Sequence, residues 1–146
     1  MARHWISSAV RITSPEGSAD EISAALGMEP TRSYERGTLA SPRNPKSGRR
    51  DRLVWLIESN VPEEARLEDH LRWAADLGEE IRARERALPE DWRGDIVIGW
   101  TPEESQESVA LDQELIAALS RTSFDIHLTA YAIADADSER EAGVKR

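Results

Sequence analysis

Five consecutive large apolar residues, Leu53 to Ile57, form the most hydrophobic run in the middle of the chain. The run is too short to span a membrane and rich in β-formers, so it predicts a buried strand from about Arg52 to Glu58. Upstream, His4 to Thr13 alternates. Ile6, Ser8, Val10 and Ile12 fall on one face, and Trp5, Ser7, Ala9 and Arg11 on the other. That two-residue period predicts a first strand, which Pro15-Glu16-Gly17 breaks. Ser18-Ala-Asp-Glu21 is a capping box, in which serine and glutamate satisfy orphan amides at a helix start. Ile22, Ala25 and Leu26 give this short helix its apolar stripe, and Gly27 suits its C-terminal turn.

Residues 28 to 50 carry no sustained period. Pro30, Gly37, Pro42, Pro45 and Gly48 make them a long irregular loop after the first helix, with a short strand near Ser33 to Arg36. Loops of this length in compact domains are usually functional or mobile. After Pro62 the period changes to three and four residues. Leu67, Leu71, Ala74, Leu77, Gly78, Ile81 and Leu88 mark the buried face of a long helix that Pro89 ends. Glu63, Glu64, Glu68 and Asp69 crowd its beginning and Arg82, Arg84 and Arg86 its end, a polarity that complements the helix dipole.

Trp92 to Asp95 reads as a turn, Ile96 to Trp100 as a third strand, and Thr101 to Ala110 as an acidic loop. Asp112 caps a third helix running through Arg121, with Leu115, Ile116 and Leu119 inward. Phe124 to Tyr131 alternates cleanly and predicts a fourth strand. The last dozen residues are small, charged and patternless, as in a frayed tail.

The predicted order is β-α-β-α-β-α-β. It implies a single α+β domain over 1–132 and a disordered C-terminal tail over 133–146. The architecture it suits is a ferredoxin-like four-stranded, mainly antiparallel sheet with three helices packed mostly on one face. Alternation in the first and last strands favours that arrangement over a parallel sheet covered on both faces.

Several of these segments together resemble a known family. They are the N-terminal strand, Glu21-Ile-Ser-Ala-Ala-Leu-Gly-Met-Glu-Pro30-Thr, Gly37, Trp55-Leu-Ile-Glu-Ser59, Leu67-Glu-Asp-His-Leu71, and a final Leu-Ile-Ala-Ala-Leu helix before a strand ending in Tyr131. The pattern resembles the bacterial domain-of-unknown-function family 4279 over roughly residues 4 to 132. The shared features are structural: a helix end, a turn, a buried tryptophan. The resemblance implies the fold and brings no activity or catalytic residue with it.

Composition narrows the function classes. The absence of cysteine removes disulfides, thiolate metal sites and cysteine nucleophiles, which is compatible with a cytoplasmic protein. No window approaches a membrane span, and the N-terminus lacks the apolar core of a signal peptide. A net charge of −9 argues against general binding to nucleic acid or anionic membranes and favours a basic partner.

Within that acidic chain, residues 31 to 52 hold seven basic side chains against Glu35 and Asp51, a net of +5. Arg32, Arg36, Arg49 and Arg50, with Tyr34, are candidate ligands for phosphate or carboxylate, because guanidinium groups grip such oxygens bidentately. The alternative is a solvated loop, or one folded against Glu103, Glu104 and Glu107. A second candidate is the outward face of the sheet. By parity it carries Trp5, His127, Thr129 and Tyr131, residue types favoured where a partner or a second copy docks.

The three histidines are scattered, and no metal site or cofactor is expected. No Gly-rich phosphate loop, zinc-protease motif or nucleophile elbow is present, so no catalytic residue is nominated. The sequence therefore predicts a non-catalytic binding protein, of immunity or adaptor type, that engages a protein partner. The alternative is a small-molecule or phosphate-binding protein using the arginine-rich loop, and homodimerisation through the sheet face is compatible with either.

Overall fold

In the computed structural model, residues 5–104 and 106–131 are described; the tail expected over 133–146 lies outside them. The central strand is β1 (Trp5–Ser14), followed by α1 (Ala19–Leu26), β2 (Arg32–Tyr34), β3 (Leu53–Glu58), α2 (Leu67–Ala83), β4 (Arg93–Thr101), α3 (Gln113–Thr122) and β5 (Asp125–Ala130). The sheet order is β2-β3-β1-β4-β5. β1 runs antiparallel to both neighbours and β4 runs parallel to β5.

This corrects the ferredoxin-like expectation. The sheet has five strands and is mixed, because the short segment at Arg32–Tyr34 pairs with β3 and because α3 carries the chain across to β5 in the direction of β4. The first and last predicted strands are not neighbours, since β4 lies between them.

The one-faced helix layer is present. Ile6, Val10 and Ile12 of β1, Ile96 and Ile98 of β4, and Leu53 and Trp55 of β3 are buried beneath the helices in one core. Trp55 Nε1 donates to Ser23 Oγ at 3.1 Å, which ties β3 to α1. Both capping side chains accept as expected, but only the serine half of the capping box forms, and Ala19 N donates to Glu35 Oε1. Ser18 Oγ accepts from Glu21 N, Asp112 Oδ1 accepts from Leu115 N, and Gly27 takes the left-handed conformation at φ 65°.

Three boundaries differ from the sequence reading. α2 begins only at Leu67, because Pro62 to Ala65 form a separate turn tied to β1, with Pro62 O accepting from Ala65 N and Glu63 O from Ile6 N, both at 2.9 Å. A 3-10 turn at Glu85–Ala87, outside α2, brings Leu88 into the core. β4 starts at Arg93, three residues earlier than the apolar run, since Gly94 and Asp95 pair with Ile12 and Arg11. Ile116, expected inward on α3, is 51% exposed because the buried stripe runs through Leu115, Ala118, Leu119 and Thr122.

Candidate functional site

The face of the sheet opposite the helices carries the odd-numbered residues of β1, β4 and β5. One row crosses all five strands, from Arg32 through Leu56, Arg11 and Asp95 to Asp125. Arg11 Nε donates to Asp95 Oδ1 at 2.9 Å and its terminal nitrogen to Oδ2, a bidentate pair across β1 and β4. That hydrogen bonding raises the Arg11 pKa above its ordinary value, against the opposing effect of partial burial. His127 Nε2 lies 3.2 Å from the same carboxylate, so three strands meet at Asp95.

Along this face from Asp95, Gly99 lets its neighbours close in. A β-carbon there would stand 2.9 Å from Ser7 Oγ, 3.7 Å from the Tyr131 ring and 4.0 Å from the Trp5 ring. Trp5 is 37% exposed and Tyr131 54%, with Thr129 exposed opposite Gly99. The structure thus gathers Trp5, His127, Thr129 and Tyr131 on one face, as parity implied, although β4 separates their strands.

A second feature lies at the edge of this face. β3 pairs with β1 only as far as Ala9, after which Asn60 to Pro62 bow away before Glu63 rejoins Ile6. Proline has no N–H to offer the ladder, which suits the detour. The gap is a cleft of about 360 Å³ whose lining includes Trp5, Arg32, Glu58, Glu63, Ser8 and His70. In its wall, Ser8 Oγ and His70 Nδ1 are 2.7 Å apart, and His70 Nε2 is 3.0 Å from the Pro62 carbonyl. A carbonyl only accepts, so Nε2 carries a proton. In the neutral ring Nδ1 then accepts from the Ser8 hydroxyl. The pair fastens β1, α2 and the bowed segment together.

The arginine-rich loop is distributed rather than convergent. Arg36 donates to Pro15 O, Arg49 to Gly37 O, Arg50 to Ala40 O and Arg52 to Asp91 O. Arg50 stacks 4.4 Å over the Tyr34 ring, and Arg32 pairs with Glu58 at 3.1 Å. Of the loop's arginines, Arg32 alone lines the cleft. Trp55 is buried on the helix side of the sheet, beneath α1.

Sequence reading missed two groupings. Ser8 and His70 were legible as polar residues on otherwise buried stripes, since Ser8 lies between Ile6 and Val10 and His70 between Leu67 and Leu71. The Arg11–Asp95 pair required knowing that β1 and β4 are neighbours.

Among the described residues no cluster of three His, Cys, Asp or Glu side chains could hold a metal ion. No helix among them is long and apolar enough to cross a membrane. Among the described residues these features define a two-layer α+β domain with no helix on one face of its mixed sheet. The chain belongs to the family described as Domain of unknown function (DUF4279), which it matches over residues 4–133. Neither a search of curated proteins nor one of solved structures finds a match.

Proposed function

We propose that this is a non-catalytic binding domain, of adaptor or immunity type, whose open sheet face takes a protein partner bearing basic side chains. The observation that carries the reading is the pair of half-exposed rings, Trp5 and Tyr131, that stand close together on this face across Gly99. Half-exposed aromatic groups supply large contact area at low entropic cost, the composition of an interface centre. The net charge of −9 favours encounter with a basic surface. A photo-cross-linking residue at Thr129 is expected to capture one protein from an extract of the host cell. The same residue at Glu80, on the solvent side of α2, is expected to capture none of it. Equal capture from both positions contradicts the reading.

A second reading, small-molecule binding, is favoured by the cleft at the start of β1. Its volume lies at the lower end of the range for small-ligand sites, and Ser8 and His70 give it a fixed polar wall. In this reading Arg32 supplies the cationic group. Stabilisation by a phosphate or carboxylate compound should be lost in Arg32→Ala and kept in the double variant Arg49→Ala, Arg50→Ala. The reverse pattern would return the ligand to the arginine-rich loop.

A further inference from the structure

The two edges of the sheet are unlike. β2, at one edge, is only three residues long, and Arg32 projects from it. β5, at the other, runs six residues with every one exposed, and contains neither lysine nor proline. Exposed edge strands in native proteins are normally blunted by such residues or by shortness, because an open edge templates pairing. The side of β5 that faces the helix layer is also apolar. Ile126 and Leu128 are 44% and 51% exposed and border a groove of about 180 Å³ with Trp100, Val109 and Leu111.

The hydrogen bonds fix which groups β5 offers. Tyr131 N donates to Trp100 O, so the odd-numbered residues point their backbone groups at β4. By alternation, Ile126, Leu128 and Ala130 present theirs to the outside. We infer that β5 pairs antiparallel with β5 of a second copy, about a two-fold axis through Leu128. This register pairs Asp125 through Tyr131 and leaves out the buried Phe124, which a register centred on His127 would set opposite Ala130. It sets Leu128 against its own counterpart, Ile126 against Ala130, His127 against Thr129 and Asp125 against Tyr131. No like charges stand opposite each other, so the strand is self-complementary, as an isologous interface requires. The two open faces then join into one continuous surface. The inference does not require the partner reading, because pairing uses the outward backbone groups of Ile126, Leu128 and Ala130, although His127, Thr129 and Tyr131 of the open face then flank the seam.

Analytical ultracentrifugation of the full chain tests it. The expected mass is twice the 16.4 kDa of one chain. Added salt should strengthen association, because each copy carries −9. Leu128→Lys should give monomers. Leu128→Pro should do the same with the fold intact, because the lost N–H faces outward. Register is read separately, since the chain has no cysteine. His127 and Thr129 of opposing copies would form a non-hydrogen-bonded pair with Cα atoms about 4.5 Å apart, within disulfide reach. A mixture of His127→Cys and Thr129→Cys chains should therefore cross-link on mild oxidation, far more than either alone. A chain that stays monomeric overturns the proposal. So does a dimer that survives Leu128→Lys, or cross-linking no greater in the mixture.

Discussion

Gly94 of β4 lies directly against the ring of Phe124, so close that a β-carbon on Gly94 would overlap the ring edge. Phe124 is buried at the turn from α3 into β5, and its ring also meets Trp92 edge-on at 6.0 Å between centroids. The contact sets the depth at which β5 joins the sheet. Gly78 of α2 serves the same packing: a β-carbon there would come within 2.7 Å of the Thr122 methyl.

Gly94→Ala is expected to destabilise the fold by about 1–3 kcal/mol, the usual cost of overfilling a packed core. Combining it with Phe124→Leu should cost less than the sum of the two single changes, because the smaller side chain vacates the space. Urea denaturation of the four proteins measures this, and strict additivity would show that the glycine and the ring do not compete.

Ser8 and His70 should behave as one unit. Replacing His70 by Phe leaves the buried Ser8 hydroxyl without this partner, at about 1–3 kcal/mol, while the Pro62 carbonyl keeps its bond from Ala65 N. Ser8→Ala made in the His70→Phe background is expected to cost little further. A double-mutant cycle by chemical denaturation reads the coupling, and a large additional loss would mean that the two side chains act separately.

The Arg11–Asp95 pair is partly exposed, with side-chain exposures of 37% and 16%. Asp95→Asn is therefore expected to cost only about 1 kcal/mol at low ionic strength, and less as salt is added. Thermal unfolding over a salt series checks this, and a loss that salt leaves unchanged would point to packing rather than charge.

The arginine-rich loop is stitched through its own backbone. Gly37 N donates to Arg50 O and Arg50 N to Thr38 O, while Arg49 and Arg50 side chains hold the carbonyls of Gly37 and Ala40. The double variant Arg49→Ala, Arg50→Ala should speed amide exchange at Gly37, Ala40 and Arg50. Overall stability should fall by less than about 1 kcal/mol, since these groups lie at the surface. Unchanged exchange would show that the side chains do not hold the loop.

Local structure was legible wherever pattern and burial agree. The alternation of β1 gave both of its faces, Ser18 and Asp112 gave the helix starts, and the Leu53–Ile57 run gave β3. Sheet order was not legible, because a parallel β4–β5 crossover and an antiparallel return use similar strand and helix lengths. That single ambiguity hid Asp95 as the meeting point of Arg11 and His127. The start of α2 was obscured for another reason. Glu63 and Glu64 suit a helix start, yet a long-range bond to Ile6 holds that segment in a separate turn ahead of the helix. Charge density was a poor guide to geometry in the arginine loop, whose guanidinium groups turn to scattered backbone carbonyls rather than to one point.

The claim that the open face binds a protein is tested most directly by native mass spectrometry of tagged chain drawn gently from its host's lysate, compared with a Trp5→Glu, Tyr131→Ala variant. A stoichiometric protein partner is expected on the natural chain, with binding weaker by about tenfold or more in the variant. A partner retained equally by both, or a natural chain that carries a small molecule and no protein, would contradict it.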